Sequence, residues 1–223
     1  MSGYIVNIII IMKGLNGLLR YGVMILIGAA GVATSSAMEV DYGKETAQQI
    51  VAGDCGTCHG IDGNSIAPIY PKLAAQVPHY IRGQLQDFAS GARISPVMAG
   101  MAKALSDTQI QELAQYFSQQ INKNKNVAQP DKQLVAQGEK IYRGGVIATN
   151  VPACAACHGA TAIGLPPLYP RLAGQNPPYV ESQLLAFRNK KRNNDPRAMM
   201  RDIAGKLTTQ EIKAVAAYMG SLP

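Results

Sequence analysis

From Ser106 the chain reads SDTQIQELAQYFSQQI, which places Ile110, Leu113, Ala114, Phe117 and Ile121 on one stripe of helical period. Ser106, with Gln109 three residues on, forms a capping box that marks the helix start. The same pattern returns near the end of the chain. Thr208 and Glu211 make the box there, and Ile212, Val215, Ala216 and Met219 make the stripe. A middle helix is predicted on Ile81, Leu85 and Phe88, and again on Val180, Leu184 and Phe187. A first helix is predicted in KETAQQIVAG and in KQLVAQGEKIYRGG. Valine-rich alternating stretches are missing, so no sheet is expected and the fold class is all-α.

These helices recur because the sequence is a tandem repeat. At an offset of 99, Cys55, Cys58 and His59 fall on Cys154, Cys157 and His158, and Tyr70, Gln76, Tyr80, Gln84 and Phe88 fall on Tyr169, Gln175, Tyr179, Gln183 and Phe187. Further on the offset becomes 102, so the second copy carries a three-residue insertion within RNKKRNNDPRA. The polar stretch NKNKNVAQPDK has no apolar period and reads as a linker. The organisation expected is a first domain over 38–125, a linker at 126–132 and a second domain over 133–223. Residues 1–37 contain Lys13 and Arg20 and no acid. An apolar run, Tyr21 to Ala33, follows, and then TSSA, with Ser35 and Ala37 where a signal peptidase reads small residues. This is the shape of a secretory signal, with Met12 an alternative start. A retained membrane anchor is the competing reading, and the apolar run is short for one.

Three helices joined by long, proline-bearing loops leave each domain with little core of its own, so something else must fill its centre. The motif names the filler. Cys-x-x-Cys-His is the attachment signature of c-type haem: two thiols add to the vinyl groups along one haem edge, and the adjacent histidine lies under the iron. Two copies in register account for all four cysteines of the chain. A Cys₄ zinc site and a pair of disulfides are the alternatives, and both leave the two histidines unexplained. The expected cofactors are therefore two covalent haem c groups, with Cys55, Cys58, Cys154 and Cys157 as attachment points and His59 and His158 as iron ligands.

The sixth ligand is sought among methionines, since no cysteine remains and the spare histidine, His79, faces Pro178 in the repeat. Met98 and Met101 are candidates in the first domain, Met199 and Met200 in the second, each in an expected loop between the middle and last helices. At offset 102 only Met98 and Met200 correspond. The second ring nitrogen of each histidine should donate to a backbone carbonyl, sought in the segments Pro68–Pro71 and Pro167–Pro170.

On CGTCHGIDGNS, YPKLAAQ, YIRGQLQDF, VMAGMAKALSDTQIQELAQYF, KIYRGG, PACAACHG, YPRLAGQ and MMRDIAGKLTTQEIKAVAAYM, the chain resembles the dihaem class I cytochromes c of the cytochrome c4 type over nearly all of residues 40–222. The resemblance implies two tandem class I cytochrome c domains facing each other across a pseudo-twofold, with haem propionates near the interface. It implies His/Met ligation by His59 with Met98 and by His158 with Met200. It also implies a periplasmic electron carrier, often associated with the membrane, whose donor and acceptor are redox proteins: a copper protein, a cytochrome complex or a terminal oxidase.

Charge separates the halves. Residues 38–129 carry 7 Lys/Arg against 8 Asp/Glu, residues 130–223 carry 12 against 6, and the whole chain is +7. Much of the excess sits in Arg188, Lys190, Lys191, Arg192, Arg197 and Arg201. These residues read either as a solvated loop or as a basic rim that steers an acidic partner. Nucleic acid does not fit an exported haem protein. A dihaem peroxidase would need an open axial site, against which the paired methionines argue. A cytochrome subunit of a larger dehydrogenase or oxidase complex looks like a carrier at this level.

Overall fold

The structure is a computed structural model, and it describes residues 41–123 and 131–223; the predicted signal and most of the predicted linker lie outside the described residues. Among the described residues there is no strand, only two isolated bridges, Val146 with Val151 and Leu165 with Tyr169. The helices are α1 (Ala47–Ile50), α2 (Gly56–His59), α3 (Pro78–Ser90), α4 (Pro96–Lys103) and α5 (Asp107–Ser118) in the first half. In the second half they are α6 (Lys132–Gly144), α7 (Ala155–His158), α8 (Pro177–Arg188), α9 (Met199–Gly205) and α10 (Thr209–Ser221).

The sequence sets these boundaries through its caps. Ser106 and Gln109 close a reciprocal box at α5, and Thr208 and Glu211 do so at α10, as the spacing predicts. A third box, Thr46 with Gln49, starts α1. Proline at the first position opens α3, α4 and α8, where its missing N–H costs no helical bond. The stripe of α5 ends at Phe117: Ile121 lies past the helix and is exposed, contrary to its predicted place on the stripe. The two Cys motifs are approached differently. In the first half α1 runs through a π-helical turn (Val51–Cys55) straight into α2. In the second, α6 stops at Gly144, and a short excursion bridged at Val146 and Val151 precedes α7.

Each half has a separate core. Ile50, Val51, Ile81, Leu113 and Phe117 anchor the first, and Tyr142, Leu184, Phe187, Ile212, Val215 and Tyr218 the second. In the second, α6 and α10 press together at Gly138, where an added Cβ would meet the Ala214 carbonyl oxygen and the Tyr218 side chain. The methionine segments are helical instead of the expected loops. Ser95 accepts a hydrogen bond from the Met98 N–H and so starts α4, and buried Asp195 accepts from the Arg201 N–H and thereby caps the first turn of α9.

Candidate haem sites and the interface between them

In each half one helical turn carries the motif: Cys55 precedes α2, which ends at His59, and Cys154 precedes α7, which ends at His158. All four thiols are unpaired and half-buried. Among the described residues no group of three or more His, Cys, Asp or Glu side chains converges as a metal site would require, so the two Cys pairs do not assemble the Cys₄ alternative. Burial pushes the Cys55 and Cys154 thiols up to about 11, with Asp54 adding to the effect at Cys55.

His59 and His158 are buried, and the Nδ1 of each lies 3.0 Å from a carbonyl oxygen, that of Pro71 and that of Pro170 respectively. Both carbonyls lie in the expected proline segments, Pro68–Pro71 and Pro167–Pro170. A carbonyl can only accept, so Nδ1 carries the proton and Nε2 keeps its lone pair for a metal. Burial lowers the pKa of both rings, more than the carbonyl bond raises it, which favours the neutral ligand form. Tyr70 and Tyr169 meet the two rings edge-on, with centroids 6.3 and 6.0 Å away.

The methionine candidates differ in their surroundings. The Met101 sulfur accepts a hydrogen bond from the buried Tyr42 hydroxyl at 3.3 Å, whereas Met98 sits in the first turn of α4. In the second half Met200 packs against the core cluster from the first turn of α9. His79 is exposed in the first turn of α3, the bland position expected of it.

The halves are joined by polar residues at matching repeat positions. Arg93 and Arg192 are buried, with their guanidinium carbons 4.6 and 4.5 Å from the ring centroids of Phe88 and Phe187. Arg93 donates to Gln84, and across the interface to the Tyr179 hydroxyl and Gln183. Arg192 donates to Gln183, and across the interface to the Tyr80 hydroxyl and Gln84. Burial alone would raise the pKa of Tyr80, but Arg192 and Arg93 outweigh it and pull the hydroxyl below the usual tyrosine range. The insertion lies beyond Arg192 and is built into this surface: Asn194 donates to Asp87 at 2.6 Å and to Gln84 at 3.0 Å. The predicted basic rim is correspondingly smaller. Arg192 belongs to the interface, Arg201 pairs with Asp195, and Arg188 bonds the Leu207 carbonyl and Thr209, which leaves Lys190, Lys191 and Arg197 exposed.

In the sequence Gln76, Tyr80 and Gln84 stand out only as repeat identities without a role, and Arg93 with Arg192 carries no mark of a buried pair. The available signal was polar identity at offset 99 within or next to a predicted helix, which an exposed helix face does not demand.

Two features fit a haem in each half. Ile66 and Ile69 in one half, and Leu165 and Leu168 in the other, are matched by the repeat, stay 45–70% exposed, and lie in the loops that follow the motifs. They supply apolar lining that neither core uses. At the interface two guanidiniums and two tyrosine hydroxyls share few acceptors, with Asp87 the carboxylate within their network. Such a surplus of buried donors suits the carboxylates of haem propionates.

Two helical units, each with a Cys-x-x-Cys-His turn and a carbonyl-oriented histidine, define a tandem class I cytochrome c. The family described as Cytochrome c matches residues 44–120 and 135–223. Cytochrome c4 of Pseudomonas aeruginosa is 39% identical over 206 residues, covering 92% of this chain and 98% of that protein. The crystal structure of reduced recombinant cytochrome c4 from Pseudomonas stutzeri superposes with a TM-score of 0.74 at 39% identity, over 79% of this chain and 97% of that one. A protein of Thiomonas intermedia named thiosulfate dehydrogenase electron acceptor is 37% identical over 173 residues, 77% of this chain and 80% of its own. The chain belongs to the cytochrome c4 family, electron-transfer proteins with two covalent haem c groups.

Proposed function

We propose that the chain is a periplasmic carrier that passes single electrons from a respiratory-chain donor to a terminal oxidase or another acceptor. Cys55 and Cys58 attach one haem, with His59 and Met98 on its iron. Cys154 and Cys157 attach the other, with His158 and Met200. Residues 1–37 act as the secretory signal that delivers the chain to the periplasm. The observation that carries the reading is the duplicated site, in which each buried histidine is held at 3.0 Å by a proline carbonyl and has Nε2 left for iron.

Haem held by these residues would supply one-electron iron chemistry, and the thioethers of Met98 and Met200 would favour its ferrous state. The protein's part is to fix the ligands, exclude water and balance charge. His59 and His158 keep one tautomer through their carbonyls. Ser95 and Asp195 hold the first turns of the two methionine helices. Arg93 and Arg192 place positive charge in the seam between the halves. Met98 and Met200 would complete the ligand sets of the two irons, so a carrier fits better than a peroxidase.

Partners are redox proteins, met on different faces of the two domains. Lys190 and Lys191, just past the end of α8, stay exposed and suit an acidic one. Lys190→Glu combined with Lys191→Glu is expected to slow electron transfer with one partner and flatten its salt dependence, as read by stopped-flow over a range of ionic strength. Unchanged rates with both donor and acceptor would assign these lysines to solvent alone. A second reading, a permanent subunit of a larger complex, rests on the Thiomonas relative named as an electron acceptor. Purification from native membranes separates the two: a carrier elutes alone, and a subunit brings its dehydrogenase with it.

A further inference from the structure

The proline carbonyl beneath each histidine belongs to a peptide group whose N–H points into the other domain. In the first half the group is Pro71–Lys72. Its oxygen lies 3.0 Å from His59 Nδ1, and its nitrogen, that of Lys72, donates to Gln175 Oε1 at 2.8 Å. In the second half the group is Pro170–Arg171. Its oxygen lies 3.0 Å from His158 Nδ1, and the Arg171 nitrogen donates to Gln76 Oε1 at 2.8 Å. The amide nitrogens of the same glutamines close the clamp: Gln175 Nε2 donates to the Lys72 carbonyl at 2.9 Å, and Gln76 Nε2 to the Arg171 carbonyl at 3.0 Å. Each glutamine oxygen also accepts its own neighbour's N–H, from Asn176 and from Val77, which fixes the side chain in place. Both glutamines are buried.

We propose that Gln175 is a positioning residue for the haem of the first domain, and Gln76 for the haem of the second, each acting across the interface through one peptide group on the opposite histidine. The proposal rests on the ligand assignment above, and its physics is that of cooperative hydrogen bonding. When a peptide N–H donates to a good acceptor, electron density moves toward its own carbonyl oxygen, which becomes a stronger acceptor. The histidine proton is then held more tightly, the ring gains anionic character, and its Nε2 becomes a stronger donor to iron. A stronger donor favours ferric iron, so an intact clamp holds the potential of the opposite haem down. The linkage is reciprocal in structure, and it makes the docking of the two domains part of the tuning of each site.

The clamp is not fully symmetric. Asn176 Nδ2 adds two further cross-domain bonds, to the Ser65 hydroxyl and the Tyr70 carbonyl, both at 2.8 Å. The repeat partner of Asn176 is Val77, which cannot make them. Asn176→Val therefore removes as many cross-domain bonds as Gln175 supplies while leaving the Lys72 peptide clamped, and it serves as the control for a loosened interface.

The test uses the full dihaem protein and follows each haem separately by NMR during a redox titration, reading the His59 and His158 Nδ1–H resonances along with the two potentials. Gln175→Leu is expected to raise the potential of the first haem and move the His59 Nδ1–H signal upfield, with the His158 signal and the second potential little changed. Gln76→Leu is expected to give the mirror result. Gln175→Glu keeps and strengthens the acceptor, so it is expected to shift the first haem the opposite way, and it guards against a leucine variant that fails to fold. Three results would overturn the proposal: a shift at the haem of the mutated domain, equal shifts at both haems, or an Asn176→Val shift as large as that of Gln175→Leu. Failure of the ligand assignment is distinguishable, because the Nδ1–H signal sensitive to Gln175 would then not be that of an iron-bound histidine.

Discussion

Met200→His is expected to lower the potential of one haem by about a few tenths of a volt, because axial ligand identity is the strongest lever a protein has on haem potential. Imidazole is a harder and stronger donor than a thioether and favours ferric iron. The weak near-infrared band of methionine-ligated ferric haem should disappear for that haem and persist for the other. Met199→His is the matched control. Met199 shares the first turn of α9 with Met200, but Met200 is the one packed against the core, and only Met200 corresponds to Met98 at the repeat offset. A potential that falls with Met199→His and holds with Met200→His would reverse the assignment. In the first domain the repeat offset favours Met98 over Met101, whose sulfur is engaged by Tyr42.

The second large effect concerns stability. Gly138→Ala is expected to destabilise the second domain by about 3 kcal/mol or more, since the new Cβ would overlap the Ala214 carbonyl and press on Tyr218 at the crossing of α6 and α10. A backbone oxygen inside a helix has no rotamer to change, so relief requires the helices to part. For a domain of this size that corresponds to a fall in melting temperature of roughly 10 °C or more. Gly144→Ala, on the same helix with open space around its Cβ position, should be neutral within about 1 kcal/mol. Thermal unfolding followed by circular dichroism distinguishes the two. Similar melting temperatures for both variants would mean that the close approach at Gly138 is not what holds α6 to α10.

What could be read from the sequence was whatever repeats or caps. The boxes at Ser106 and Thr208, the three-helix plan and the carbonyl partners of the histidines follow from local spacing, which a single chain displays directly. The helices that carry Met98 and Met200 were expected as loops because they are short, and their starts depend on Ser95 next to a proline and on Asp195 several residues upstream. Ile121 was drawn into a stripe that continues in sequence after the helix has ended. The interface was invisible for a different reason. Gln76, Gln84, Arg93 and their partners are polar, so they look like surface until a second domain covers them. Arg192 shows the consequence: in sequence it belongs to a basic run, and in the fold it is buried between two aromatic-bearing helices and bonded across the seam.

The central claim is that two separate Cys-x-x-Cys-His turns each bind one haem covalently. Mass spectrometry of the mature protein after acid–acetone extraction, followed by peptide mapping, tests it most directly. The account predicts an intact mass increased by two haems, with one haem on the peptide holding Cys55 and Cys58 and one on the peptide holding Cys154 and Cys157. A mature mass without haem, or with both pairs recovered as disulfides or free thiols, would contradict it.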